Sequence, residues 1–150
     1  FGPLPVADVN GVERQLIDLA SISTLEHRLI EAGEDPRQLW QQPQDWTHLD
    51  RFVEPWLEQA ASALATAMIA ACSIIDFEAV VIDGALPTSV RKRLVYLTRM
   101  CLATKDTRGL IAPVTVEGQI GANARGIGAS VGPIISQLLL DRSAAMFDHG

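Results

Sequence analysis

The sequence predicts an α/β protein, with helices packed on a small mixed sheet, and three observations carry that expectation. Helical and strand-like stretches alternate from Leu49 onward in the order helix, strand, helix, strand, helix. Ala79-Val80-Val81-Ile82 is short, β-rich and non-alternating, as expected of a strand covered on both faces. Asp83-Gly84 closes that run, where open α/β sheets place ligand-side turns.

Phe1 to Val12 carries Gly2, Pro3, Pro5 and Asn10-Gly11, which predicts an extended surface segment with a turn. Ser23-Thr24-Leu25-Glu26 has capping-box spacing, and Leu25, Leu29 and Ile30 recur at helical intervals until Gly33 supplies a stop. Glu34 to His48 is polar and broken by Pro36 and Pro43, with Asp35-Pro36 suited to open a short helical turn. Trp40 and Trp46 are expected to pin this connector to the core. Residues 1–48 thus read as loop, short helix and connector, and residues 49–150 as the core.

From Leu49 a helix follows in which Leu57, Ala61, Leu64, Met68 and Ala71 form one stripe. Ala60, Ala63, Ala67 and Ala70 keep its other faces small, so neighbours can approach closely. Asp76-Phe77-Glu78 breaks this helix before the Ala79–Ile82 strand. Pro87-Thr88-Ser89 offers caps for the next helix, with Val90, Leu94, Leu97 and Cys101 inward and Arg91, Lys92, Arg93 and Arg99 expected to be solvated. Thr107-Arg108-Gly109 turns the chain into Leu110 to Val116, a strand in which Pro113 implies an edge position or bulge. A glycine-rich passage, Gly118 to Gly132, leads into a last helix bearing Ile134, Ile135, Leu138 and Leu139.

Composition narrows the function classes. The 150 residues suit one ordinary domain, and 48% hydrophobic with 20% charged residues argues against a largely disordered chain. A formal net charge of −6 makes this stretch a poor match for a phosphate backbone, so any DNA contact is expected through another segment. Cys72 and Cys101 lie in apolar stretches and read as buried thiols in a reducing, cytoplasmic setting. The longest apolar run, Ala63 to Ile75, is interrupted by Thr66 and Ser73 and falls short of the ~20 residues of a membrane helix. Phe1 to Pro5 lacks the basic and apolar regions of a signal peptide, and the start at Phe1 without Met suggests a piece of something longer.

Few residues are placed for chemistry. Gly126-Ile127-Gly128-Ala129-Ser130-Val131 has valine where a dinucleotide fingerprint needs its last glycine, and no Gly-Lys-Ser/Thr forms a P-loop. Phosphate contact and close helix–strand approach both remain open for this passage. His27, His48 and His149 fit no metal or triad spacing, so no metal site is expected. Asp83 is either a ligand-side carboxylate or a turn former, and Asp18 either a cap or a polar group on a cleft wall.

The order of these motifs resembles the C-terminal half of the ROK family of sugar kinases and sugar-responsive repressors. The resemblance rests on Leu64 to Pro87 with Ile75-Asp76 and Val80-Val81-Ile82-Asp83-Gly84-Ala85, then on Gly121-Ala122-Asn123-Ala124-Arg125-Gly126-Ile127-Gly128-Ala129 with Pro133. Gln15-Leu16-Ile17-Asp18, followed by Ala20-Ser21, falls where the family carries Gly-Cys-x-Glu. It implies part of an actin-like, ribonuclease-H-like ATPase lobe, with sugar in an interlobe cleft. Asp18 would replace a sugar-binding glutamate, and Asp83, Gly84 and Ala85 would form the nucleotide-side turn. Asp83 stands where the family has glycine, which argues against ATP there. Leu16 stands where a zinc cysteine would be, which implies that the structural zinc is missing.

The family's phosphate-binding Asp-x-Gly-Gly-Thr, catalytic aspartate and Glu-x-Gly-His motif do not occur in this chain. No catalytic residue is therefore expected, and these residues alone are not expected to phosphorylate a sugar. The resemblance implies the sugar-sensing and dimerisation part of a transcriptional regulator that binds a sugar or sugar phosphate and reaches DNA through a preceding segment. The alternative is the C-terminal lobe of a sugar kinase, in which case the intact protein would use ATP and Mg.

Overall fold

The computed structural model describes residues 2–8 and 10–121, and its mixed α/β architecture places two short sheets around one long helix. The first pair, β1 (Pro5–Ala7) and β2 (Glu13–Gln15), is an antiparallel hairpin in the segment expected to be loop. Its turn uses Gly11 at φ +77°, while Asp8 Oδ1 accepts from the amides of Asn10 and Val12 at 2.8 and 2.9 Å. The strands are too short to show alternation in sequence, yet Val6 buries against Leu16, Leu19, Ala63 and Ala67.

Two helices follow with a break at Ser21: α1 (Leu16–Ala20), which has no counterpart in the sequence-based expectation, and α2 (Ile22–Glu31). The capping box is not made where spacing placed it. Ser21, extended at φ −79° and ψ 153°, precedes α2, and its hydroxyl meets Thr24 Oγ1 at 3.2 Å instead of an amide. Gly33 ends α2 as expected: at φ +77° it lets Glu34 donate back to the Leu29 carbonyl at 2.8 Å.

The connector opens on Asp35, whose Oδ1 accepts from the Arg37 amide at 3.0 Å before the 3₁₀ turn Pro36–Trp40. Trp46 anchors it, 1% exposed and edge-on to Trp56 at 6.5 Å between centroids. Trp40 differs from the expectation: it is 42% exposed and is held by a 2.7 Å hydrogen bond to Glu26 Oε1.

Helix α3 (Asp50–Cys72) is the spine, burying Val53, Trp56, Leu57 and a set of alanines against α1, α2 and α4 (Thr88–Ala103). Its small residues permit that close packing on several sides. Strand β3 (Ala79–Ile82) pairs parallel with β4 (Val114–Glu117), and α4 is the crossover between them. The antiparallel and parallel pairs are separate sheets among the described residues, not one mixed sheet.

Among the described residues β3 is also not covered on both faces. Val80 and Ile82 pack toward the helices, whereas Val81 is 62% exposed, as is Val114 of β4. Pro113 directly precedes β4, so its missing donor costs no ladder bond. The expected final helix and most of the glycine passage lie outside the described residues. No helix among the described residues is long and apolar enough to cross a membrane.

Candidate functional site

The parallel strands end side by side, and Asp83 lies across their ends. Gly118 N–H donates to the Ile82 carbonyl at 2.8 Å, drawing the chain after β4 onto the end of β3. Asp83 Oδ1 accepts from the amides of Gly84 at 2.8 Å and Gly121 at 3.0 Å, and Oδ2 accepts from the Ile120 amide at 3.0 Å. A Cβ at Gly118 would overlap Asp83 Cβ and Cγ and come 2.5 Å from Oδ2, so glycine is what allows the carboxylate to lie there. The Gly84 amide foremost, with those of Gly121 and Ile120 and the charge of Arg91, holds the Asp83 carboxyl below the usual carboxylate range against the opposing effect of burial.

Arg91 alone departs from the expectation that the basic residues of α4 are solvated. It is 8% exposed, with Nη1 3.7 Å from Asp83 Oδ1 and Nε 3.1 Å from Glu117 Oε1. A buried guanidinium needs such partners, because an unpaired one would forfeit its hydration. Lys92, Arg93 and Arg99 stay exposed as expected, although Arg99 Nε donates to the Thr115 carbonyl at 2.9 Å. The helical spacing holds a usable signal: Arg91, Val95, Thr98 and Leu102 form one buried stripe, so Arg91 falls on the inner face.

The rest of the predicted turn is structural in its contacts. Leu86 N–H donates to the Gly84 carbonyl at 2.8 Å, and Gln44 Nε2 donates to the Ala85 carbonyl at 3.0 Å and the Leu39 carbonyl at 2.9 Å. The connector and the β3 turn are thereby tied together. Asp83 and Gly84 also line a mostly apolar groove of about 370 Å³ with Trp56, Leu64, Val80 and Leu94.

Asp18 sits elsewhere. It is exposed on α1 and lines a separate open cleft of about 450 Å³ with Ile17, Ser21, Ser23, Thr24 and His27. Thr24 Oγ1 donates to the Asp18 carbonyl at 2.8 Å, fixing the α1–α2 corner and leaving the carboxylate pointing at no partner among the described residues. Ser23 and His27 share one face of α2 by their spacing of four, a juxtaposition readable from sequence only once Asp18 is placed opposite. The structure thus does not bring Asp18 and Asp83 into one site.

Cys72 is buried and Cys101 half-buried, both as free thiols, and His27 and His48 are exposed. Among the described residues no three His, Cys, Asp or Glu side chains gather as a metal-binding group. The passage Ala122 to Gly132 and His149 lie outside them.

No family model matches the chain, and no curated protein matches it. Among solved structures it is similar to a ROK hexokinase from Thermus thermophilus, at 24% identity and a TM-score of 0.46, over 81% of this chain and 41% of that one. The chain therefore spans about two-fifths of that hexokinase's length.

Proposed function

We propose that this chain is the sugar-sensing and dimerising part of a ROK-type transcriptional regulator, built as part of an actin-like lobe and not catalytically competent alone. The order of motifs from Asp18 through Asp83-Gly84-Ala85 to Gly121 supports the family reading. The observation that carries the sugar reading is the open cleft that Asp18 lines together with Ser21, Ser23, Thr24 and His27. An exposed carboxylate with its acceptor sites unspent suits the hydroxyl donors of a sugar or sugar phosphate.

Asp83 favours the regulator over the ATP-dependent kinase. Its carboxylate puts a negative charge at the turn and accepts from the amides of Ile120 and Gly121, and like charges repel a nucleotide's phosphates. In the regulator, sugar would favour one arrangement of a cytoplasmic homodimer and so change the spacing of DNA-binding heads carried by another segment. Calorimetry of the intact protein against a panel of sugars and sugar phosphates, repeated with Asp18→Ala, tests this. Binding that the substitution weakens at least about tenfold supports the reading, a loss of roughly 1.4 kcal/mol. Undiminished binding would remove Asp18 from the site, and ATP-dependent sugar phosphorylation by the intact protein would replace the regulator with the kinase.

A further inference from the structure

Strand β3 has one paired edge and one free edge. Val114 N–H donates to the Glu78 carbonyl at 3.0 Å and Gly118 N–H to the Ile82 carbonyl at 2.8 Å, which fixes the residues of β3 that face β4. In a parallel ladder of this register Val80 faces β4 with Glu78 and Ile82, so the N–H and C=O groups of Ala79 and Val81 point to the opposite edge. Among the described residues no strand pairs there. Ala79 and Val81 are both exposed, and such a row of unpaired donors and acceptors is a template for a further strand.

That edge opens on an apolar trough. Two grooves, of about 260 and 370 Å³, share Val80 with Leu64 and Met68 of α3; between them they touch all four residues of β3 and none of β4. The trough therefore runs the length of β3 on the side away from β4, floored by α3, and α1 contributes Leu16 and Ala20 to it. Asp83, at one end, is the single charged residue that lines it. Edges that must stay unpaired are guarded by lysine, proline or a bulge, yet Ala79-Val80-Val81-Ile82 has no charge and no proline, and its register is continuous.

We propose that this edge binds an extended, uncharged segment of a partner polypeptide by strand addition, with valine-like residues at alternate positions. Its main chain bonds to Ala79 and Val81, one face of its side chains packs on Leu64 and Met68, and the other lies beside exposed Val81. A second copy of β3 does not fit. Because α3 lies beneath the vacant strand position, a two-fold β3–β3 pair would set two copies of α3 about one strand spacing apart, roughly 4.8 Å, where packed helices need about 8–10 Å. The trough is separate from the Asp18 cleft and independent of the sugar reading.

The test is hydrogen exchange of the Ala79 and Val81 amides in the whole 150-residue chain, with acetyl-Thr-Val-Thr-Val-Thr-amide as the probe strand. The same peptide with lysine for valine, and a fully N-methylated one, are the controls. In the chain alone these two amides should exchange fast while those of Val80 and Ile82 are protected. The valine peptide is expected to slow the pair saturably, by at least about tenfold, and the controls are not. Ala79→Pro and Val81→Pro each delete an edge donor and no bond to β4, so both variants should keep the wild-type circular dichroism and lose the response at the remaining amide. Protection of Ala79 and Val81 without peptide overturns the proposal, since the chain or a second copy then fills the edge. So do amides that ignore the valine peptide, a lysine peptide that protects equally, and the unfolding of both proline variants.

Discussion

Gly118→Ala isolates the fit between the two strand ends. The new methyl would overlap Asp83 Cβ and Cγ, atoms that no change of side-chain rotamer can fully withdraw, so the β3 and β4 ends must move apart. The backbone at Gly118 is not in the positive-φ region, and alanine adds no conformational strain of its own. Overpacking of this kind costs about 1–3 kcal/mol. For a chain of 150 residues that is a fall in Tm of roughly 2–4 °C per kcal/mol. The three nearest atoms to the added methyl all belong to Asp83, so Asp83→Gly should remove most of the penalty. Thermal and urea denaturation of the wild type, both single variants and the double variant give the coupling between the sites, expected at about 0.5–3 kcal/mol. An alanine penalty that is the same with and without Asp83 would refute the reasoning.

Two further outcomes follow from the same structure. The amides of Gly84, Gly121 and Ile120 hold the folded-state Asp83 carboxyl below the usual carboxylate range, so its contribution to stability is full above the ordinary carboxylate pKa and is lost as pH falls through the depressed one. Asp83→Asn should accordingly flatten the acid limb of a pH–stability curve only partly, because Asp35, Asp45 and Asp106 are shifted in the same direction; an unchanged acid limb would contradict the assignment. In α2, Leu29→Ala should cost about 2–5 kcal/mol at a fully buried position, whereas Ile30→Ala, at 58% exposure, should stay within about 0.5 kcal/mol; urea midpoints separate the two.

The elements legible in the sequence were those with a long period or a punctuating residue. α3 carries its stripe for 23 residues, Gly33 has the positive φ that a helix end demands, and Asp35-Pro36 opens its turn through the side-chain bond that the pair is suited to make. The β1–β2 hairpin and α1 were not legible, since three to five residues cannot display a period and their stability comes from burying Val6, Leu16 and Leu19 on α3. Trp40 was misjudged because an indole can be held by its N–H as well as by its rings, here through Glu26. The composition of β3 describes a strand apolar on both sides, yet one side of it faces solvent among the described residues, leaving Val81 and Val114 as an uncovered apolar pair.

The two carboxylates of the candidate sites were alike in sequence, each following an apolar run and each open to a capping or a ligand role. Their surroundings separate them through acceptor capacity. A carboxylate offers about four lone-pair sites, and at Asp83 three accept from amides while the Arg91 guanidinium stands 3.7 Å away as an ion pair, so little acceptor capacity is left for the hydroxyls of a ligand. Nor can it serve readily as a general base, because a carboxyl held below its usual range has little tendency to take a proton at neutral pH. At Asp18 the capping work falls to the main-chain carbonyl, which accepts from Thr24, and the side chain keeps its acceptors for the cleft. Spent acceptors mark Asp83 as a residue that ties the strand ends together, and unspent ones are why we propose Asp18 as the carboxylate for a polyhydroxylated ligand.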